Sequence, residues 1–190
     1  MEQNTGPTLA HLFAGWEGYN QSILSALAPL SAEQLAFRPA ANLRSVGELA
    51  RHIAFGRITW WARMNAPGGA DLVGQIEHWE SDGEGNRWVD EAAYAITTDG
   101  PALVLWLNRS WQMIERTLGE WHVADLDRSY RHIWGGDAYA IPMQWTIFRI
   151  LAHDIHHGGE LALMLGLQGM EPFDLGAWGG HILLPPRAPD

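Results

Sequence analysis

Apolar residues recur at intervals of three and four along four long stretches of the sequence, which is the period of a helix buried on one side. These stretches run from Thr8 to Leu30, from Ser45 to Met64, from Asp99 to Trp121 and from Pro142 to Leu167. Helices of this length bury their apolar stripes most simply against one another. The pattern therefore predicts an all-α protein whose architecture is a four-helix bundle.

Residues that commonly begin and end helices stand at the ends of these stretches. Ser45 and Glu48 have the spacing of a capping box, in which each side chain bonds the other residue's backbone amide. Ser31 and Gln34 have the same spacing and predict a short helical turn after the first stretch. Gly169 follows the fourth stretch and is expected to end it.

Two of the connections between the predicted helices are long. Residues 70–98 are acidic and rich in glycine, and we expect one short helix there, from Val89 to Ile96. A connection of that length often crosses a bundle or covers a site. Residues 122–140 are mixed in composition, with a turn at Gly135-Gly136-Asp137, so short strands or a hairpin could form there. Because neither segment resembles a domain linker, we predict a single domain over residues 1–190.

The composition excludes several classes of function. The net charge is −10 and the twelve basic residues are scattered singly, which disfavours nucleic acid as a partner. All twelve are arginine, so Schiff-base lysines and phosphate-binding P-loops are excluded. The chain has no cysteine, which excludes disulfides, cysteine nucleophiles and thiolate metal sites. The start of the chain is polar and no apolar run reaches membrane-spanning length, so we expect a cytoplasmic protein with no membrane partner.

Three histidines have the setting of a metal site. His153 and His157 stand four residues apart in the fourth stretch, so both imidazoles leave the same face of a helix. Two neutral imidazoles in that arrangement can bind one divalent metal. His52 is the best third candidate, because it lies among core-facing residues of the second stretch and Gly56 leaves room for a ligand beside it. The alternative is that all three are hydrogen-bonded core histidines.

Glu160 lies on the same face of the fourth stretch, within about 40° of His153. Its carboxylate could be a fourth ligand, a general base, an acceptor that orients an imidazole, or the partner of Arg149 in an ion pair. Gly158 and Gly159 are unusual inside a helix, where each costs about 1 kcal/mol. They suggest close helix packing or access for a ligand next to the histidine pair.

Other residues of the same types are expected in ordinary roles. Asp154 stands where the HExxH motif of zinc peptidases has glutamate, so a peptidase is disfavoured. His156 points away from the pair and is expected at the surface or beside a ligand. Three tryptophans belong to the core or else wall an apolar pocket over the metal: Trp60, Trp106 and Trp145. Five histidines are assigned to helix starts or loops, with hydrogen-bonding or solvent-facing roles: His11, His78, His122, His132 and His181.

With these residues identified, the chain resembles the DinB/YfiT-like superfamily of metalloenzymes. The matching elements are ELARHIAFGRITWWARM over residues 48–64 and HDIHHGGELALMLGLQG over residues 153–169, and the resemblance extends from about residue 8 to residue 182. It implies a four-helix bundle with long crossover connections that holds a divalent metal, zinc or nickel, on three histidines. In this chain those ligands fall on His52, His153 and His157.

The resemblance also implies a class of chemistry. Better understood relatives are thiol-dependent transferases or isomerases, many are homodimers, and the family name refers to induction by DNA damage, a stress response. We therefore expect a metal-dependent S-transferase in which an external low-molecular-weight thiol attacks a small-molecule substrate, with Glu160 as the candidate catalytic residue and Arg149 holding a carboxylate of the thiol. The alternatives are a metal-dependent hydrolase with Glu160 as base, a non-catalytic stress protein that binds metal or ligand, and a structural bundle without metal.

Overall fold

The structure is a computed structural model that describes residues 6–171, so His181 lies outside the described residues. The helices are α1 (Leu9–Leu12), α2 (Ala14–Leu27), α3 (Ala32–Ala36), α4 (Val46–Met64), α5 (Gly69–Val73), α6 (Gly100–Glu120) and α7 (Met143–Leu167), and the strands are β1 (Trp79–Ser81), β2 (Arg87–Val89), β3 (Ser129–Trp134) and β4 (Asp137–Pro142).

The predicted bounds of α4, α6 and α7 are confirmed to within about two residues. Both capping boxes are present: the Glu48 amide donates to Ser45 Oγ (3.2 Å) and the Ser45 amide donates to the Glu48 carboxylate (2.8 Å), and Ser31 and Gln34 do the same at α3. Helix α4 ends at Asn65, which adopts the left-handed conformation with φ 48°. Local sequence signals therefore set the ends of the helix that carries His52.

The prediction of one continuous helix from Thr8 to Leu30 is wrong, because the chain breaks at Phe13 into α1 and α2. Phe13 has φ −110° and ψ 22°, outside the helical range. The preceding turn is held by the end of α6, since the Leu9 amide donates to the Trp121 carbonyl (2.8 Å) and Thr8 forms a β-bridge with His122. Tertiary contacts from 112 residues away thus override the local periodicity.

The all-α prediction is correct only in part, because the described residues also contain two antiparallel hairpins. Strands β1 and β2 pair from Trp79 opposite Val89, and β3 pairs with β4 through a turn in which Gly135 and Gly136 have φ 60° and 86°. The second hairpin confirms the strands considered for residues 122–140. The short helix predicted from Val89 to Ile96 is wrong: Val89 ends β2, and only the 3-10 turn Glu91–Ala93 follows.

Helix α4 is central to the packing, since it lies against both α6 and α7, and α2 also packs on α6. Its apolar residues join two clusters of the core, with Ile53 in one and Phe55 and Trp61 in the other. Helices α4 and α7 are therefore neighbours along their length, which brings their histidines into the same region. Among residues 6–171, no helix combines the length and apolar character needed to cross a membrane.

Candidate metal centre

The structure brings together the three histidines that the sequence singled out. His52 on α4 faces His153 and His157 on α7, and one ring nitrogen from each lies within 4.8 Å of the other two. The Nε2 atoms of His52 and His153 are 3.2 Å apart. The three ring centroids are separated by 4.4 to 4.9 Å. Three imidazoles this close, from two helices, can direct their nitrogens at a single ion.

Gly56 makes room for one of these histidines. A Cβ atom at Gly56 would lie 2.8 Å from Cε1 and 3.1 Å from Nε2 of the His153 ring. The space that the sequence assigned to a ligand beside His52 is therefore taken by His153 itself. Gly158 meets the expectation of close packing, since a Cβ there would overlap the Tyr19 hydroxyl of α2, whereas a Cβ at Gly159 would meet open space.

Two of the three imidazoles have a carboxylate at hydrogen-bond distance from Nδ1, whereas the Nδ1 of His153 is buried without a hydrogen-bond partner among the described residues. His52 Nδ1 lies 2.7 Å from Glu91 Oε1, and His157 Nδ1 lies 2.6 Å from Glu160 Oε2. His153 Nδ1 lies 4.0 Å from Asp154 Oδ1. A carboxylate that accepts a hydrogen bond from Nδ1–H holds the imidazole in the tautomer whose Nε2 carries a lone pair. In that tautomer Nε2 carries the lone pair with which an imidazole binds a metal, and the Nε2 atoms of His52 and His153 lie 3.2 Å apart at the centre.

Glu160, the candidate catalytic residue, is held by histidines rather than by an arginine. Besides its contact with His157, its carboxylate lies 3.5 Å from His156 Nε2. Of the roles considered from the sequence, this geometry matches the acceptor that orients an imidazole. The alternative ion pair with Arg149 is not formed, since the guanidinium of Arg149 lies over the ring of Trp60.

The protonation state of His157 suits metal binding. Burial lowers the pKa of His157 to about 4, even though Glu160 acts in the opposite direction. Above that pH the imidazole is neutral, which is the form that binds a metal. A divalent ion therefore does not have to displace a proton from His157 near neutral pH.

A buried ion pair directly beneath the histidines was missed by the sequence reasoning. The side chains of Arg57 and Asp154 are both 0% exposed, and Arg57 Nη2 lies 2.8 Å from Asp154 Oδ2. The Trp16 indole donates to the same oxygen (2.8 Å), and Arg57 Nη1 donates to Asn20 Oδ1 (2.9 Å). Although burial works against it, the Arg57 guanidinium and these hydrogen bonds hold the pKa of Asp154 below its usual range. Because Asp154 follows His153 directly, the pair fixes the backbone that carries this histidine.

A signal for this pair exists in the sequence. Arg57 and Asp154 are single charges within otherwise apolar helix faces, and a buried charge requires a partner. The contact between His52 and Glu91 has no comparable signal, since 39 residues separate them and Glu91 is one of many acidic residues in its connection.

Of the three tryptophans assigned to the core or to a pocket wall, two lie together in the structure and the third packs elsewhere. Trp60 and Trp145 lie against each other with centroids 5.8 Å apart, whereas Trp106 packs on Phe55 and Tyr94. A cavity of about 630 Å³ instead opens beside Glu160. Its lining combines apolar side chains with two arginines and includes Leu49, Leu163, Met164, Arg38 and Arg44. A small molecule in this cavity would lie next to the carboxylate that contacts His157.

Comparison with known proteins gives two matches. The sequence model of the DinB superfamily matches residues 8–161. Among solved structures, a DinB-like protein from Bacillus cereus superposes with a TM-score of 0.61 at 16% sequence identity, over 87% of this chain and 95% of that one. At this identity the likeness concerns the fold alone. No protein with curated annotation matches the sequence.

Proposed function

Since the chain belongs to the DinB superfamily, we propose that it is a divalent-metal-dependent enzyme whose metal ligands are His52, His153 and His157. The observation that carries this proposal is the convergence of three imidazoles, two of which have a carboxylate at hydrogen-bond distance from their outer nitrogen. A histidine that served only for packing would not need a carboxylate on Nδ1, as His52 and His157 each have.

The donor set suits zinc or nickel. Imidazole nitrogen is a common ligand for both metals, and the chain offers no thiolate that would favour a different ion. Three protein ligands leave coordination positions open, which is the arrangement of catalytic rather than structural sites. Glu91 and Glu160 would keep the imidazoles oriented and increase their basicity.

The proposed reaction is S-transfer from an external low-molecular-weight thiol. A divalent metal bound to the three histidines would supply a Lewis acid that lowers the pKa of a coordinated thiol. Because the chain has no cysteine, the sulfur must come from a second small molecule. The thiol would lose its proton to solvent water, and its sulfur would form a bond to an electrophilic carbon of the substrate, whose leaving group departs with the bonding electron pair. The cavity beside Glu160 offers the electrophile an apolar surface formed in part by Leu49 and Met164.

Hydrolysis is the weaker alternative in this structure. It requires Glu160 as a general base, and the Glu160 carboxylate is already 2.6 Å from His157 Nδ1. A carboxylate in that contact stabilises the imidazole instead of accepting a proton from water.

Metal content tests the proposal. Wild-type protein purified without a histidine tag should hold about one equivalent of zinc or nickel, and His52→Ala and His157→Ala should each hold less than about a tenth. His11→Ala is the matched control, because His11 is exposed on α1 and lies away from the centre. Full metal content in both site variants would show that these histidines are not ligands.

Turnover separates the enzyme from a metal-binding protein without activity. Metal-loaded wild-type protein is assayed with small thiols and a chlorobimane electrophile, alongside a panel of esters and amides. Thiol-dependent product formation that is lost in His157→Ala supports S-transfer. Thiol-independent ester or amide cleavage would establish the hydrolase instead. Fully loaded protein that is inert in both panels would contradict a catalytic function.

A further inference from the structure

A second group of polar side chains lies on the seam between α4 and α7, around the ring of Trp60. The guanidinium carbons of Arg63 and Arg149 lie 4.2 and 4.3 Å from its ring centroid. The rings of His132 and Trp145 each lie 5.8 Å from the same ring. His132, which the sequence assigned to a loop, is on β3 and is buried. We refer to these five residues as the arginine–tryptophan cluster.

Neither arginine of the cluster has a carboxylate partner among residues 6–171. Arg63 Nη2 donates to the Arg87 carbonyl (3.1 Å), while its Nε is buried without a hydrogen-bond partner. The guanidinium of Arg149 lies over the rings of Trp60 and Trp145, 4.3 and 5.5 Å from their centroids. For Arg63, which is partly buried, the lack of an anion is unfavourable, whereas Arg149 remains in contact with water.

Asp82 is the acidic residue that acts on the cluster, but its carboxylate is hydrogen-bonded within its own turn. Asp82 acts electrostatically on Arg63 and His132. Its carboxylate, however, accepts hydrogen bonds from the Asn86 side chain (2.5 Å) and from the Glu84 amide (2.8 Å) within its own turn. Burial is the main cause that lowers the pKa of Arg63, and the neighbouring charge of Arg149 adds to it. The cluster is therefore a local concentration of positive charge in a chain whose net charge is −10.

The cluster lies next to the histidine centre along the interface between α4 and α7. Arg149 stands four residues before His153 on α7, which places it on the same face about 6 Å along the helix. Trp60 stands four residues after Gly56, the residue that makes room for His153. Arg149 is exposed, so a ligand could reach the cluster from solvent.

We propose that the arginine–tryptophan cluster binds the carboxylate of a small thiol substrate whose sulfur reaches the histidine centre. The proposal rests on the proposed function and deepens it by naming a carboxylate-bearing thiol as the substrate class. A guanidinium stacked on an indole keeps its N–H edge free and fixed in direction, and that edge matches the two oxygens of a carboxylate. The exposed N–H groups of Arg149 supply such donors, with the indoles of Trp60 and Trp145 as supports, and the neighbouring guanidinium of Arg63 adds a second positive charge.

Anion binding is tested first on metal-free protein, so that its outcome does not depend on the metal site. The indole N–H signals of Trp60 and Trp145 are followed by NMR while succinate or inorganic phosphate is added. We expect saturable shifts with succinate, and an affinity about tenfold lower in Arg149→Gln. Arg109→Gln is the matched control, since Arg109 also lies over a tryptophan, Trp106 (5.7 Å), but on α6. It should bind succinate like the wild type.

The titrations show whether the site exists and whether it prefers a carboxylate to phosphate. Absence of shifts with either probe, or an equal loss in the Arg109 control, would overturn the proposed site. Binding of phosphate but not succinate would overturn the assignment to a carboxylate. Arg63→Gln provides a second variant in which the other guanidinium is removed, and it should weaken succinate binding as well.

The link to the histidine centre is tested with cobalt-loaded protein, in which thiol binding is followed by the thiolate absorption band. Wild-type protein should bind 3-mercaptopropionate at least about tenfold more tightly than its neutral methyl ester. In Arg149→Gln this preference should fall towards one, while Arg109→Gln should retain it. An unchanged preference in an Arg149→Gln variant that loads metal normally would overturn the proposal.

Discussion

At the scale of single residues, the candidate centre depends on side chains that contact the histidines as much as on the histidines. Each imidazole has two nitrogens, and a carboxylate on one determines what the other can do. Glu91, Glu160 and Asp154 stand at the three Nδ1 positions at 2.7, 2.6 and 4.0 Å. The two glutamates are the closer pair and should have the greater effect on metal affinity.

Replacing Glu91 by glutamine should lower metal affinity by about 10- to 100-fold, since the amide is a weaker acceptor for the His52 proton. Competition with a chromogenic chelator measures the affinity. Glu115→Gln, an exposed carboxylate on α6, is the control and should leave it unchanged. Equal affinities for Glu91→Gln and wild type would show that this contact does not orient His52.

Gly56→Ala should separate the metal site from the stability of the helix. Alanine favours a helix over glycine by about 1 kcal/mol, so the metal-free protein should not lose much stability. The new methyl group, however, would lie 2.8 Å from the His153 ring, which must move away. We expect weaker metal binding at nearly normal thermal stability. A Cβ at Gly159 would meet open space, so Gly159→Ala should bind metal normally. If Gly159→Ala also lost metal binding, the cause would be a general change in the helix and not the contact with His153.

At the scale of elements, the sequence predicts those helix ends that depend on residues close together in the chain. The helix bounds of α4 follow from the Ser45–Glu48 capping box and from Asn65, all within the segment itself. The break at Phe13 depends on contacts with a distant part of the chain, at Trp121 and His122. The histidine centre could be predicted because two of its histidines share one helix, and Glu160 lies on the same helix. Glu91 could not be predicted, because only the fold brings it to His52.

Ser45→Ala should destabilise the protein by about 1 kcal/mol, because it leaves the Glu48 amide at the start of α4 without its acceptor. Urea unfolding of metal-free protein measures the free energy. Ser25→Ala, an exposed serine within α2, is the comparison and should change the free energy of unfolding by less than about 0.5 kcal/mol. If both variants lose the same amount, the cap does not contribute to the stability of α4.

At the scale of the whole molecule, the Arg57–Asp154 pair connects the helices that build the site. Arg57 on α4 bonds Asp154 on α7, and Trp16 and Asn20 from α2 complete the network. Ser110 of α6 also lies 3.4 Å from Arg57 Nη1. One buried network therefore touches all four long helices, directly below His153.

Asp154→Asn should destabilise the fold strongly, by roughly 3–5 kcal/mol, because the buried charge of Arg57 loses its anion. Thermal and urea unfolding measure the loss. Asp127→Asn, an exposed carboxylate with no such partner, should be close to wild type. Removal of both charges in Arg57→Met with Asp154→Asn should recover part of the loss, since no unpaired charge remains. A single variant as stable as wild type would contradict the structural role of the pair.

The pH dependence of the free energy of unfolding tests how the hairpin β3–β4 packs against α4 and α7. Burial of His132 lowers its pKa, the charges of Arg63 on α4 and Arg149 on α7 lower it further, and Asp82 acts in the opposite direction. Because the folded pKa lies below the unfolded value of about 6.5, the unfolded chain binds more protons as the pH falls. The contribution of His132 to stability is therefore fully present above about pH 6.5 and is lost as the pH falls through the folded pKa.

His132→Gln removes this titration, so the metal-free variant should lose less stability than the wild type between about pH 7 and pH 5. Urea unfolding across that range measures the slope, and the His132 ring signal in NMR should titrate below 6.5 in the wild type. In Arg149→Gln the His132 pKa should rise, since one of the cations that lowers it is gone. His11→Gln, with an exposed ring, is the control and should keep the wild-type slope. A slope that is unchanged in His132→Gln would mean that the hairpin does not carry the acid sensitivity of the fold.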